Sequence, residues 1–220
     1  MTGILSIVST PIGNLEDITL RAIRTLKEAG MVAAEDTRRA KVLFQAHGIA
    51  TPVTSFHSHN CKRKTPGIIK ALKEGKNVAL ISDSGTPGIS DPGYALIKSC
   101  IRENVPITAI PGATALVTAL VLSGKPTNKF VYEGFLSNKS GRRKKQVKTL
   151  MTEERTVIVY ESPHRIERLM KDIKDASPER EVVLARELTK KFEEIKRGTA
   201  CGHLEYFRDH KPRGEYVVVF

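Results

Sequence analysis

The chain has 220 residues, 40% of them hydrophobic, and its 36 lysines and arginines outnumber 24 acidic residues to give a net charge of +12. It contains no run of about 18 apolar residues, so we expect no membrane span, and residues 1–10 lack the basic start of a signal peptide. Three widely spaced cysteines without a CxxC pair support neither a disulfide framework nor a zinc site, and they fit reduced thiols in the cytoplasm.

In the first half of the chain, short apolar runs alternate with segments of helical spacing. The predicted strands are Ile4–Ser9, Met31–Ala34, Val53–Phe56, Val78–Ser82 and Pro106–Ile110. The predicted helices are Asp17–Ala29, Arg38–Ala46, Thr65–Glu74, Pro92–Glu103 and Ala113–Leu122. Strands separated by helices of this length form right-handed βαβ units, so we expect an α/β lobe with a mostly parallel sheet.

The turn-forming residues 124–129 (GKPTNK) predict a domain boundary, which gives two α/β lobes, 1–123 and 124–220. In the second lobe the predicted strands are Phe130–Phe135, Thr156–Tyr160, Glu181–Ala185 and Tyr216–Phe220. Its predicted helices are Arg142–Leu150, Pro163–Lys174 and Ala200–Arg208. This order of elements favours a mixed sheet with helices.

Polar loops follow the strands of the first lobe, where ligands bind in open α/β sheets. The most informative is 82–93 (SDSGTPGISDPG), whose three glycines and two prolines can bring backbone close to a ligand. Its Asp91-Pro92 pair fits the start of the next helix, with Asp91 as the cap. The loops 9–14 (STPIGN) and 111–115 (PGATA) are also consistent with plain turns and close packing, and neither carries a dinucleotide or P-loop fingerprint.

Charged residues follow the second strand as Glu35-Asp36-Thr37-Arg38-Arg39. They form either a polar cluster at the ligand edge of the sheet or a helix start, with Asp36 as its cap and the arginines in solvent. The residues alone leave both interpretations open. A charge of +12 on so small a chain favours a polyanionic partner such as nucleic acid.

Six motifs together resemble a known family. TPIGN at 10–14, EDTR at 35–38, the glycine-rich loop 82–93 and PGATA at 111–115 are similar to the tetrapyrrole methylase superfamily of enzymes that use S-adenosyl-L-methionine (SAM). YESPHR at 160–165 and ARELTK at 185–190 narrow the resemblance to the ribosomal RNA small-subunit methyltransferase I family, throughout residues 3–220. Ser84 stands where that family leads us to expect alanine, and most members continue beyond the position of Phe220.

The resemblance implies a two-lobed class III methyltransferase, with a parallel-sheet N-terminal lobe and a mixed-sheet C-terminal lobe. It further implies a homodimer that binds SAM between its lobes and methylates the ribose 2′-hydroxyl of a cytidine in the decoding region of 16S rRNA. The implied substrate is either the free rRNA or the assembled small ribosomal subunit. The cofactor contacts carried over by motif are Pro11, Ser84, Gly85, Thr86, Ile89, Thr114, Ala115, Glu161 and Leu188.

Methyl transfer to a ribose hydroxyl is aided by a base or a nearby charge that stabilises the developing alkoxide. The sequence predicts Glu35, Asp36 and Glu161 as candidates for this base, without an order of preference among them. Arg38, His164 or Lys190 are the candidate charge partners. A metal is not expected, because the spacing of His57, His59 and Cys61 matches no closed zinc motif.

Contacts to RNA are expected from basic runs on both lobes and from polar residues near the cleft, although each run alone is more often a solvated face. They are Arg38, His57, Asn60, Lys62, Arg63, Lys64, Arg142, Arg143, Lys144, Lys145, His164 and Arg165. Two alternatives remain at this point: a SAM-dependent methyltransferase of a tetrapyrrole-like small molecule, and a non-catalytic basic RNA-binding protein.

Overall fold

The computed structural model describes residues 1–220. The chain forms two compact units, Met1–Thr114 and Ala115–Phe220. The first unit contains a five-stranded sheet in the order β3-β2-β4-β1-β5, and all of its neighbouring strands are parallel. The strands are β1 (Leu5–Val8), β2 (Met31–Ala34), β3 (Val53–Ser55), β4 (Val78–Ile81) and β5 (Ile107–Ile110). The predicted parallel α/β architecture is thus confirmed.

Four helices cover the two faces of this sheet: α1 (Leu20–Glu28), α2 (Thr37–His47), α3 (Cys61–Lys73) and α4 (Tyr94–Arg102). Leu26 of α1 and Phe44 of α2 belong to the apolar core on one face, and Leu72 of α3 and Leu96 of α4 belong to the core on the other. The chain therefore leaves β4 toward the face opposite to that used after its neighbours β1 and β2. Such a reversal opens a crevice at the carboxyl ends of the strands, where ligands bind in α/β sheets.

The second unit contains a mixed five-stranded sheet in the order β6-β7-β10-β8-β9, in which only β6 and β7 are parallel neighbours. Its strands are β6 (Phe130–Phe135), β7 (Thr156–Glu161), β8 (Glu181–Arg186), β9 (Glu194–Thr199) and β10 (Tyr216–Val219). Its helices are α5 (Ala115–Ser123), α6 (Ser140–Met151), α7 (Ile166–Ala176) and α8 (Ala200–Asp209). The predicted mixed sheet is confirmed, whereas β9 was not predicted.

Helix α5 belongs to the second unit, so the division falls before this helix, while the turn formers predicted it after residue 123. The helix packs against β7, β8, β9 and β10. Arg197 of β9 also donates hydrogen bonds to the carbonyl oxygens of Leu122 and Ser123 at its end. These contacts are made by an almost wholly apolar helix, and the sequence pattern does not reveal which sheet it covers. All the helices of the chain fall short of the length and apolar character that a membrane span requires.

Candidate active site

The glycine-rich loop after β4 is attached to the loop after β1. The backbone N–H of Thr10 donates to the carbonyl oxygen of Gly85 at 2.9 Å, and the N–H of Gly85 donates back to Thr10 at 3.0 Å. The hydroxyl oxygens of Ser9 and Thr86 lie 2.8 Å apart. Gly85 has a φ of +72°, a left-handed conformation that glycine adopts without strain. The predicted residues Gly85 and Thr86 are therefore fixed beside β1.

The same loop is attached on its other side to the loop after β2. The carboxylate of Asp83 accepts a hydrogen bond from the backbone N–H of Asp36 at 2.9 Å, and it lies 3.5 Å from the guanidinium of Arg39. In return, the N–H of Asp83 donates to the carboxylate of Glu35 at 3.4 Å. The motifs singled out at 35–38 and 82–93 thus come together at one edge of the sheet.

The loop after β5 packs closely on this cluster. A Cβ placed on Gly112 would lie 3.0 Å from the Cβ of Ser9, so only a residue without a side chain fits there without displacement. A Cβ on Gly85 would lie 3.8 Å from the carbonyl oxygen of Ala113. Thr114 and Ala115 are the two predicted cofactor contacts in this segment. Thr114 is the last residue of the first unit, and Ala115 is the first residue of the second.

Two carboxyl groups of the first unit have raised pKa values. Burial raises the pKa of Glu35, which is partly offset by the N–H of Asp83 that donates to it. Burial raises the pKa of Asp91 to about 6, and the negative charges of Glu35 and Asp83 add to the effect. A carboxyl group with a pKa near neutrality, set by burial and by like charges at a sheet's ligand edge, is typical of catalytic sites.

Sequence reasoning missed Asp91 as a site residue and assigned it to helix capping. The helix begins later, at Tyr94, with Gly93 at the cap position and no side-chain cap. The carboxyl of Asp91 therefore belongs to the cluster of acids and not to a helix cap. One signal for this role was present in the sequence, because Asp83 and Asp91 share the loop that follows β4 at the ligand edge of the sheet.

Asp36, by contrast, performs the capping that was one of its two predicted roles. Its carboxylate accepts the backbone N–H of Arg38 at 2.8 Å at the start of α2. The guanidinium of Arg38 also pairs with this carboxylate at 2.7 Å and lowers the pKa of Asp36 to about 2. A carboxylate with so low a pKa is a weak proton acceptor near pH 7.

Asn60 and His57 form a compact turn after β3. The side-chain oxygen of the buried Asn60 accepts the N–H of His57 at 2.9 Å, and its amide group donates to the hydroxyl of Ser55 at 3.1 Å. Asn60 thereby shapes the loop. The Nδ1 atom of His57 is buried without a hydrogen-bond partner, and its ring is close enough to Glu35 to lower the pKa of that carboxyl slightly.

In the second unit, Glu161 lies at the end of β7 with a fully buried side chain. Its carboxylate is 3.0 Å from the Nε of Arg165 and accepts the N–H of Ser162 at 2.8 Å. Arg165 in turn donates to the carbonyl oxygen of Leu136 at 2.7 Å and to the side chain of Asn138. The pair therefore holds the loop after β6, while the neighbouring His164 is exposed.

Leu188 lies buried in a strained loop between β8 and β9. Its neighbours Glu187 and Thr189 have φ values of 49° and 64°, which are unfavourable for residues other than glycine, above all for a β-branched one. Lys190 fixes the loop through bonds to Glu187 at 2.9 Å and to Glu215 at 2.8 Å. Strain of this kind persists at ligand-binding sites when the surroundings enforce it.

The basic runs divide into exposed and buried members. Arg142, Lys144 and Lys145 are exposed on α6, and Lys62 and Arg63 are exposed on α3, whereas the half-buried Lys64 donates to the hydroxyl of Thr54. Arg143 is buried, and its Nε lies 2.6 Å from the equally buried carboxylate of Asp172. We therefore leave Arg143 out of the RNA-contacting set. No group of three histidine, cysteine or acidic side chains is placed to hold a metal ion.

Comparison with known proteins gives consistent matches. Residues 5–201 match the family model of the tetrapyrrole (corrin/porphyrin) methylases. The ribosomal RNA small subunit methyltransferase I of Synechocystis sp. is 47% identical over 99% of this chain and 78% of that protein. The protein of the same name from Thermotoga maritima is 46% identical over 99% of this chain and 97% of its own length.

Solved structures share the fold at low sequence identity. A cobalt precorrin-4 methyltransferase of cobalamin biosynthesis has a TM-score of 0.73 at 18% identity, covering 98% of this chain and 94% of its own. Uroporphyrin-III C-methyltransferase from Thermus thermophilus, complexed with S-adenyl homocysteine, has a TM-score of 0.67 at 15% identity, covering 99% and 96%. The two-unit α/β fold predicted from the motifs is the fold of these enzymes.

Proposed function

This chain is a member of the ribosomal RNA small subunit methyltransferase I family within the tetrapyrrole methylases, and from that premise we propose that it transfers the methyl group of SAM to small-subunit rRNA. We further propose that the acceptor is the ribose 2′-hydroxyl of a cytidine in the decoding region of 16S rRNA. The single observation that carries the proposal is the match, over nearly the full chain, to relatives named as small-subunit rRNA methyltransferases.

The loops of the first unit suit SAM. Gly85 and Gly112 allow these loops to pack closely on one another, and Glu35 and Asp91 of the same unit have raised pKa values that a positively charged ligand nearby would lower. SAM is such a ligand, and when bound it supplies an electrophilic methyl group. We propose that Pro11, Ser84, Gly85, Thr86, Ile89 and Thr114 hold it in the first unit, and that Ala115, Glu161 and Leu188 contribute from the second.

We propose that Glu35, assisted by Asp91, accepts the proton of the ribose hydroxyl during methyl transfer. Both carboxyl groups have raised pKa values, which makes them stronger proton acceptors than an ordinary carboxylate. The charge of Glu35 also contributes to the raised pKa of Asp91. Asp36 and Glu161 are engaged as a helix cap and as an ion-pair partner of Arg165, so we assign them positioning roles.

We propose that the rRNA backbone is held by basic side chains that are exposed or, in the case of Lys64, half-buried. Phosphate contacts of this kind are largely independent of sequence and weaken steeply with salt. The proposed residues are Arg38, Lys62, Arg63, Lys64, Arg142, Lys144, Lys145 and His164. The side chains of His57, Asn60 and Arg165 have hydrogen-bond partners within the protein, so we assign them to shaping this surface. We also propose that the chain acts in the cytoplasm as a homodimer, on free rRNA or on the assembled small ribosomal subunit.

The test is transfer of labelled methyl from SAM to small ribosomal subunits from cells that lack the enzyme, with free rRNA and a tetrapyrrole assayed in parallel. We expect label on the 2′-oxygen of one ribose of the rRNA, and transfer slowed about 100-fold or more when Glu35→Gln replaces the wild-type chain. The proposal is contradicted if label enters only the tetrapyrrole. It is also contradicted if no acceptor is labelled although the chain binds SAM.

A further inference from the structure

Three aromatic rings cluster at the carboxyl end of β6 and β7. The ring centroids of Tyr132 and Tyr160 are 5.0 Å apart, and those of Phe135 and Tyr160 are 5.7 Å apart, both in edge-to-face arrangements. Phe135 is 56% exposed at the end of the edge strand β6. The chain has seven phenylalanines, five tyrosines and no tryptophan. A largely exposed aromatic ring at this position indicates a surface that binds another molecule.

The backbone and Tyr160 fix the position of the Phe135 ring. Strand β6 has a bulge between Tyr132 and Gly134, and Gly134 adopts a φ of +65°. Bulges of this kind re-aim the side chains that follow them. After the bulge, Phe135 is paired in register with Tyr160 of β7, whose hydroxyl accepts the N–H of Leu116 at 3.1 Å. The ring of Tyr160 is thus anchored, and it supports Phe135 from one side.

The chain directly after Phe135 is also held in place. Arg165 donates to the carbonyl oxygen of Leu136 and to the side chain of Asn138, and its own guanidinium is fixed by the buried carboxylate of Glu161. An exposed aromatic ring on so firmly attached a segment is pre-organised, so little conformational entropy is lost when a partner binds it.

The Phe135 ring is largely exposed, and exposed cations follow it along the chain. Phe135 keeps 56% of its surface exposed although it packs edge-to-face with Tyr160, so it retains ring surface on which a base can stack. Lys139 precedes α6, and Arg142 and Lys145 lie on it; all three are exposed. An aromatic platform followed by cations is the combination that binds unpaired nucleotides, since bases stack on the ring and phosphates meet the charges.

We propose that Phe135 is a stacking platform for an unpaired base of the substrate RNA, in the segment that carries the methylated nucleotide. Tyr160 supports the platform, and the Glu161–Arg165 pair holds the loop that follows it. The inference rests on the proposed function for the identity of the RNA. The chemistry of this segment, an exposed aromatic ring followed along the chain by exposed cations, favours RNA over a second copy of the chain as its partner.

The experiment uses the full chain and short single-stranded RNAs of the proposed target segment, each with 2-aminopurine at one position. We expect wild type to quench the fluorescence at one position. Phe135→Ala should abolish that quenching and weaken binding about 5- to 150-fold, the effect of losing one base–aromatic stack. Phe135→Tyr should keep both properties, and Phe135→Leu, which retains apolar area without a ring, should behave like Phe135→Ala.

Phe130→Ala is the matched control, because Phe130 lies on the same strand at its other end and is 40% exposed. The proposal is overturned if Phe135→Ala binds and quenches as Phe130→Ala does, or if Phe135→Leu retains full binding. It is also overturned if Phe135→Ala dissociates an oligomer in light scattering while RNA binding is unchanged, because the ring then contacts a second copy.

Thermal unfolding and SAM calorimetry on the same variants separate this proposal from the proposed function. If the wild-type chain methylates rRNA but Phe135→Ala equals Phe130→Ala in every assay, the proposed function stands and the proposed stacking platform is contradicted. If the wild-type chain transfers no methyl group but its quenching of the RNA fluorescence depends on Phe135, the proposed reaction is contradicted and the proposed platform stands.

Discussion

The carboxylate of Asp83 accepts a hydrogen bond of 2.9 Å from the backbone N–H of Asp36, and so joins the loop after β4 to the loop after β2. Asp83→Ala removes this acceptor, and we expect it to lower the free energy of unfolding by about 1–3 kcal/mol, the cost of a partly buried donor left unpaired. Asp83→Asn keeps an acceptor oxygen and should cost less. Urea denaturation of both variants measures the difference. Equal losses would assign the effect to the charge pair with Arg39 instead.

The raised pKa of Asp91 predicts a stability that depends on pH. The native carboxyl holds its proton up to about pH 6, whereas in the unfolded chain the ordinary pKa is 3.8. The native state therefore binds the proton more tightly, and its stability falls as the pH rises from about 4 to about 6. Above this window Asp91→Asn should be more stable than wild type by about 1 kcal/mol, after the full shift is reduced for partial exposure.

Melting temperatures at pH 3.5 and pH 8 check this prediction. For a chain of this size, about 1 kcal/mol corresponds to a rise of roughly 2–4 °C at pH 8. At pH 3.5, where the carboxyl of Asp91 is protonated in both native and unfolded chains, the variant should show no gain. Glu205→Gln, an exposed substitution on α8, serves as the control and should leave the melting temperature unchanged at both pH values.

Glu35→Gln tests the proposed proton acceptor. We expect kcat at saturating SAM to fall about 100-fold or more, the usual contribution of a general base, with the saturating concentration set by SAM calorimetry on the variant. Because the charge of Glu35 contributes to the raised pKa of Asp91, the same variant should lower the pKa of Asp91, which NMR titration of its carboxyl carbon can follow. An unchanged kcat would exclude Glu35 as the base, whatever happens to Asp91.

Arg142 and Arg143 are adjacent in the sequence and are expected to respond oppositely to substitution. Arg143→Ala leaves the buried carboxylate of Asp172 without its partner and should cost about 3–5 kcal/mol of stability. Arg142→Ala should change stability by less than about 0.5 kcal/mol but lower the slope of log affinity against log salt by about 1, as expected for one phosphate contact. Denaturation and RNA binding at several salt concentrations measure both effects. A lowered slope for a folded Arg143 variant would restore that residue to the RNA-contacting set.

Much of the first unit follows from the sequence because its signals are local and agree with one another. Apolar runs mark strands, and glycine-rich polar loops such as 82–93 follow them, so the ligand edge can be predicted from the order of the residues alone. Arg143 shows how a further signal was available. It precedes Val147 and Leu150 at the helical spacing that places all three on the buried face of α6, although it lies in a run of four basic residues.

Other features depend on partners that the sequence does not identify. Strand β9 reads EIKRGT, which has neither an apolar run nor clear alternation, and it forms because it pairs along β8 at the sheet edge. Helix α5 is apolar nearly all round, so its pattern does not select a sheet. The raised pKa of Asp91 arises from burial and from the acids that neighbouring strands bring beside it, and neither can be read from residues 90–92 alone.

The attachment of the glycine-rich loop on both sides also indicates where this chain can change in length. The Thr10–Gly85 bridge and the hydrogen bond between Asp36 and Asp83 fix the loop to two neighbouring strands. An inserted or deleted residue between positions 82 and 86 would break one attachment or the other. The exposed turn at 126–129 is attached to one strand only, because the carbonyl oxygens of Pro126 and Lys129 both accept hydrogen bonds from Thr156 of β7. Insertions and deletions that survive selection should therefore collect in turns of the second kind and spare the loop after β4.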